Sequence, residues 1–317
     1  MIPALLATFC FACSAVCGQR LSQLMGSIRG NFWRLALATG ILWLITLAFF
    51  AGSVRSETAG WYVLSGVIGF GLGDVALFLA YPHLGSRLTV LVLMSFGVFF
   101  GALGDWWLLG AALRWELASS IAVILAGLVL ALHRPGEPLR WGRGLVFAII
   151  AGWGQGFGAV LSRIAQETAA HAGCAVPAIS QTAQRAVGGL GVAALAFAIV
   201  RLGVARRARK SLPAGPGPDG RTPVVPAGAP DRPARHRQNL PFWLLGSALF
   251  GPVIGVSAMQ WSLQALQSSA LVVAITATAP LMIVPLARWL EREKTSPRAL
   301  LGTAIAVGGV VLTAFFR

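Results

Sequence analysis

Charged side chains are scarce in this chain. Asp, Glu, Lys and Arg make up 11% of its 317 residues, against roughly 25% in a soluble domain. So few charges cannot coat a water-facing surface, and an ordinary soluble globular protein is excluded. The shortage falls on one sign: 10 acidic residues stand against 25 basic ones, giving a net charge of +15. No H-E-x-x-H, G-x-S-x-G or Walker-type G-x-x-x-x-G-K-[ST] occurs, so the motifs of metalloprotease, serine hydrolase and nucleotide-driven pump are missing. The four histidines, His83, His133, His171 and His236, are scattered through joints. Only four cysteines are present, three of them (Cys10, Cys13, Cys17) on one helical face. A metal or redox site would need thiolates, which are costly in an apolar helix, and no fourth ligand lies nearby. Small apolar filler is the simpler reading. The chain is therefore expected to be no enzyme and to carry no cofactor and no metal.

Apolar residues are what it has in excess, at 56% with a mean hydropathy of +0.75. A membrane span needs ~20 mostly apolar residues. Such runs occur about ten times: Ile2–Gly18, Phe32–Ala51, Gly60–Ala80, Ser86–Leu108, Glu116–His133, Trp141–Ile164, Ala178–Arg201, Pro241–Leu263, Ser269–Leu290 and Arg298–Phe316. The sixth is interrupted by glycine. No basic residue precedes the first run, so it reads as a retained span rather than a signal peptide. Ser211–Pro233 differs from every other joint. It holds seven prolines and four glycines beside the basic cluster Arg206–Lys210, a composition that cannot bury a core and reads as a flexible tether.

The basic residues are unevenly placed. Sorting the joints alternately onto two sides puts 20 of the 25 on the side holding the linker. The positive-inside rule then places that side in the cytoplasm and both termini outside. With no soluble domain to hold a duplex, the charge points to anionic lipid rather than nucleic acid.

A shift of 183 residues lays helices 3–5 on helices 8–10 without a gap: Phe78 meets Trp261, Ser86 meets Ser269, Trp106 meets Trp289. Arg34 and Arg185 also correspond, at the starts of helices 2 and 7. Five spans is an odd number, so two like repeats would insert upside down relative to each other. Inverted repeats usually enclose a substrate site near the midplane.

The closing segment reads S-A-L-V-V-A-I-T-A-T-A-P-L-M-I-V-P-L-A-R-W-L-E-R-E-K-T-S-P-R-A-L-L-G-T-A-I-A-V-G-G-V-V-L. With Pro280, Glu293, Gly302 and Gly308–Gly309, and with the five-plus-five duplication, it resembles the drug/metabolite transporter superfamily, EamA type. The resemblance implies an all-α polytopic membrane protein with about ten transmembrane helices in two inverted five-helix repeats. Residues 1–133 would form the first repeat. Residues 141–317 would form the second, interrupted by the basic linker at about 202–239. It further implies a secondary transporter of small metabolites or amino-acid-like solutes, with export expected, in the plasma (inner) membrane. Two features depart from the family: Gly110 and Gly97 stand where the first repeat would match Glu293 and Pro280. The family's commoner orientation also puts both termini inside, against the charge count. Expected partners are a small-molecule solute and membrane lipid, with no nucleic acid; proton coupling and a homodimer stay open. The competing reading is a non-transporting scaffold or sensor whose basic linker recruits partners.

Asp74 is the sharpest candidate for solute binding. An Asp deep in a span costs ~2.5–3.5 kcal/mol and usually faces a cavity or partner. It could bind a substrate ammonium, take up a proton, or make a structural hydrogen bond. Its repeat mate Ser257, with Gln260, Trp261 and Gln264, forms a polar helical stripe suited to orienting a small solute. Gly152, Gly154, Gly156 and Gly158 suggest close helix packing, with Gln155 and Trp153 facing a cavity if the segment is part of a site. Ser95, Thr276 and Thr278 are candidate path-lining residues, and Pro280 a kink or gate. Arg34 and Arg185 are expected at the interface, reaching headgroups, with contact to a substrate carboxylate as the alternative.

Overall fold

The computed structural model describes residues 1–54, 58–110, 115–132, 142–174, 176–210, 239–266, 272, 275–291 and 296–315. The linker Ser211–Pro233, Glu293, Ser269, His133 and His236 lie outside them. The described elements are helical: α1 (Ile2–Met25), α2 (Ser27–Phe49), α3 (Ala59–Gly66), α4 (Asp74–Leu109), α5 (Trp115–Leu132), α6 (Arg143–His171), α7 (Ala178–Lys210), α8 (Leu240–Ala248), α9 (Ser257–Leu266), α10 (Ala279–Leu286) and α11 (Pro297–Phe315). Short π-helical segments join α3 to α4 (Val67–Gly73) and α8 to α9 (Leu249–Val256), and another, Ala287–Glu291, follows α10.

Six described helices are long and apolar enough to cross a membrane, and three shorter apolar ones accompany them. The longest, Ala59–Leu109, has 51 residues. A straight helix of that length would run about 76 Å, far past a ~30 Å hydrocarbon core. It bends instead at Gly85, whose φ of 76° and ψ of 174° suit a residue without Cβ. The bend falls between the third and fourth expected spans. Two boundaries differ from the sequence expectation. Helix α1 runs past Gly18 to Met25, and α2 starts at Ser27 rather than Phe32. The glycines of α6 do not break it; it is continuous from Arg143 to His171.

Those glycines bring helices together on two faces. A Cβ on Gly154 would lie 2.7 Å from Cα of Gly73, and one on Gly158 would lie 3.0 Å from Cα of Gly69. On the other face, a Cβ on Gly152 would lie 2.8 Å from Cβ of Phe96, and one on Gly156 would lie 2.6 Å from the Gly97 carbonyl. Alternate glycines four residues apart thus seat α6 against the first π segment on one side and against α4 on the other. Small residues do the same where α7 meets α3 (Gly188, Gly66) and α5 meets α11 (Gly127, Gly302, Gly309). Lipid supplies no hydrophobic drive between helices, so such close backbone packing carries the association.

The helix pairings reveal the duplication. Helix α1 packs on α8 and its π segment; α6 packs on α3 and its π segment. Helix α1 also meets α10, as α6 meets α4, while α2 pairs with α7 and α5 with α11. Exchanging the two halves maps this set of contacts onto itself. The π segments agree with it, since a 183-residue shift carries Val67–Gly73 onto 250–256, inside the second π segment.

Gly154→Val should be destabilising by about 1–3 kcal/mol, the usual cost of overpacking. Gly40, with nothing within 4 Å of an added Cβ, should accept Ala at no cost. Thermal unfolding of the purified protein in detergent checks both; equal behaviour of the two variants would contradict this packing.

Candidate functional site

A cavity of about 480 Å3 lies among α1, α2, α4, α6, α7 and the two π segments, within the ~300–1,000 Å3 typical of small-molecule sites. Leu77, Val90, Leu93, Met94, Val256, Met259 and Leu263 supply apolar wall. At its deep end stand three charged residues, Arg34, Asp74 and Arg185, each at most 5% exposed.

Each of the three is held by a different helix. Asp74 opens α4 immediately after the first π segment, and such segments often mark functional sites. Its Oδ2 accepts a hydrogen bond and ion pair from the Arg34 guanidinium on α2. Its Oδ1 accepts from the Gln155 amide on α6 at 3.2 Å, and Gln155 also donates to the Gly69 carbonyl at 3.4 Å. Arg185, on α7, lies in the field of Asp74, with its guanidinium 5.0 Å from the Phe70 ring centroid. Arg34 sits 5.0 Å from the Phe78 ring. Gly251, in the second π segment, makes room for it: a Cβ there would come 2.9 Å from the Arg34 guanidinium. A pair of opposite charges 4 Å apart is worth about 4 kcal/mol at an effective dielectric near 20, enough to offset much of the cost of placing Asp74 at this depth.

The cavity runs along α6 from Gln155 to Arg163, eight residues or about 12 Å. There Arg163 and Glu167 are half exposed and bonded at 2.8 Å, with Asp105 at 3.6 Å from Arg163. The opposite end is closed by a packed cluster that includes Val16, Leu21, Phe78, Tyr81, Ile283 and Ala287. Beside it, Arg20 donates to the Leu290 carbonyl and ties α1 to the segment after α10.

Of the residues singled out in the sequence, Asp74, Gln155 and Thr276 line this cavity. Arg34, Arg185, Gly97 and Gly156 line it too, and the remaining solute-binding candidates lie elsewhere. Gln260 is buried, accepting from Gln166 at 2.8 Å, while Gln264 donates to the Val176 carbonyl at 3.0 Å. The polar stripe of α9 therefore fastens α9 to α6 and to the segment just before α7, and its partner Gln166 on α6 reaches the cavity. Ser257 is absent from the lining, and its hydroxyl is buried without a partner. Trp261 is 57% exposed on the outer surface, because it points away from the face that Gln260 buries. Trp153 packs on Phe157. Ser95 borders a small separate apolar pocket with Phe96 and Ile124. The Thr278 hydroxyl donates to the Ile275 carbonyl at 2.7 Å, away from the cavity. Pro280 sits in the first turn of α10, just after a break at residues 277–278, where a missing N–H costs nothing. The arginines are the main revision. Neither Arg34 nor Arg185 reaches a headgroup; both are buried at the cavity floor.

Buried charge around a mid-depth cavity, in a duplicated bundle of apolar helices, defines a class: a multi-pass membrane carrier. The comparisons give the particular family. The chain belongs to the EamA-like transporter family, which it matches over residues 1–133 and 142–315. Membership makes it a secondary transporter rather than an enzyme. No curated protein matches the chain. One chain from a solved crystal structure superposes with a TM-score of 0.57 at 17% identity, covering 98% of this chain and 96% of that one; at that identity the likeness speaks for the fold alone.

Asp74→Leu strands two buried guanidinium groups and should cost about 3–5 kcal/mol of stability. Adding Arg34→Met removes one stranded charge, so the double variant should unfold at a higher temperature than the single one. A double variant no more stable than Asp74→Leu would show that the pair is not coupled.

Proposed function

We propose that this chain is an exporter of small metabolites or amino-acid-like solutes, working from the plasma (inner) membrane. The observation that carries this is the cavity: it combines apolar walls with charged groups at about half the length of α6, where lipid alone would tolerate neither water nor charge. Alternating access about a midplane site between two repeats is the mechanism such a duplication supports. The two repeats, inserted in opposite senses, would rock about the Arg34–Asp74 floor.

Direction rests on charge placement. In the alternating count of joints, those richest in Lys and Arg share the side of Arg20, Arg87 and Arg143, and Arg20 stands at the closed end. The positive-inside rule assigns that end to the cytoplasm. The mouth at Arg163 and Glu167 then faces outward, and the closed end at Arg20 and Leu290 is the one that would open to load solute.

A comparison of extracellular solutes from cells making the intact chain and cells making Asp74→Asn tests this reading. One or more small solutes should accumulate outside only with the intact chain. Asp74→Asn should cut that release about tenfold or more, as expected for losing a charge-assisted hydrogen bond of about 1.5–3 kcal/mol. Trp261→Ala, on the outer surface, should change it less than twofold or so. Identical solute profiles with and without the protein would reject the proposal.

A further inference from the structure

We infer that the solute recognised at this site is an organic anion, a monocarboxylate with an apolar body, and that Arg185 is the residue that receives its carboxylate. The inference rests on the carrier reading above and deepens it.

The first observation is an imbalance at the cavity floor. Arg34 and Arg185 bring two positive charges and Asp74 brings one negative. Asp74 is already committed: one carboxylate oxygen is engaged by Arg34 and the other by Gln155. An incoming ammonium group would have to displace one of these partners and would meet two guanidinium groups. Arg185, by contrast, makes no hydrogen bond or close ion pair among the described residues. Its contacts are the Phe70 ring and the longer-range field of Asp74 and Tyr62, and its Nε is buried without an acceptor. A guanidinium presents five donors in a planar fork that fits a carboxylate through two parallel bonds. Leaving its Nε buried without an acceptor is costly, and an anionic solute would engage the fork while neutralising the surplus charge.

The second observation concerns the rest of the cavity. Beyond the floor, the walls are mainly Leu, Val and Met until the mouth, where Arg163 and Glu167 are half-exposed and Asp105 is buried beside them. That mouth group carries two carboxylates and one guanidinium, so the mouth has a net negative charge. The lining as a whole is balanced, and its positive excess is confined to the buried floor. A solute with a charged head and an apolar body matches this order: head at Arg185, body among Val160, Met259 and Leu263. No free carboxylate at the floor waits for an amino group, so an α-ammonium is not read there.

The test uses three probes with one apolar body: 4-methylpentanoate, leucine and 3-methylbutylamine. They are titrated calorimetrically against the purified full-length chain in detergent. The carboxylate should bind at least about tenfold more tightly than the amine, and leucine no more tightly than the carboxylate. Arg185→Gln should weaken 4-methylpentanoate binding about tenfold or more, and Arg185→Lys should restore part of it, because Lys keeps the charge without the fork. Thermal unfolding confirms that both variants are folded; if Arg185→Gln is not, the ranking of the three probes on the intact chain decides. Amine binding equal to or tighter than carboxylate binding overturns the inference. So does leucine binding about tenfold tighter than the carboxylate, which would mean the ammonium is read. Unchanged carboxylate affinity in folded Arg185→Gln overturns it too. Binding of none of the three rejects the carboxylate assignment and leaves the carrier reading to its own export screen.

Discussion

A carboxylate and two guanidinium groups buried at the depth of a bilayer's core constrain the rest of this molecule. Charge at that depth is tolerated only with a partner or beside a cavity, and both are present. Asp74 is satisfied by Arg34 and Gln155, each from a different helix. The surplus is carried by Arg185 at the floor of a cavity. Four helices, α2, α4, α6 and α7, must therefore converge on one point, and their packing is arranged around that demand.

Glycine makes the convergence possible. Helix α6 carries one glycine pair for the π segment before Asp74 and another for α4, so it can bring Gln155 within hydrogen-bond distance of Asp74. On α7, Gly188 and Gly189 fit against Val63 and Phe70, which holds Arg185 over the Phe70 ring. The π segments add the last adjustment. In the first repeat the segment delivers Asp74; in the second, at the equivalent place, it delivers Gly251 beside Arg34. The position that matches Asp74 across the repeat is Ser257, so the two halves have diverged, a charge in one and a hydroxyl in the other. Conformational change would have to keep this floor intact while separating the Arg20–Leu290 closure at one end.

Much of the architecture is legible in the sequence because lipid imposes a simple rule. A span must be long and apolar, and the closing segment carries a recognisable family pattern. Asp74 stood out for the same reason, as a charge where charge is costly. The rest of the site was harder to read. Helix starts are set by backbone geometry rather than hydropathy, so placing the start of α2 at Phe32 instead of Ser27 left Arg34 near the surface. Arg185 lies seven residues inside α7, and its depth was available from the sequence; its pairing across the repeat with Arg34 was the signal that both belong to the floor. The stripe Gln260–Trp261–Gln264 misled because polar spacing marks a face without saying what that face meets. It meets Gln166 and the Val176 carbonyl, and Trp261 turns outward.

The central claim is a water-filled cavity that reaches from the mouth toward the buried charges. Ala159 lines it, between Gln155 and Arg163 on α6. Ala159→Cys, in a chain whose four native cysteines are replaced, can be challenged with an anionic, membrane-impermeant methanethiosulfonate in sealed right-side-out vesicles. Rapid modification from the outside is the result this account predicts. A cysteine at that position that stays unmodified from both sides of the membrane would contradict it.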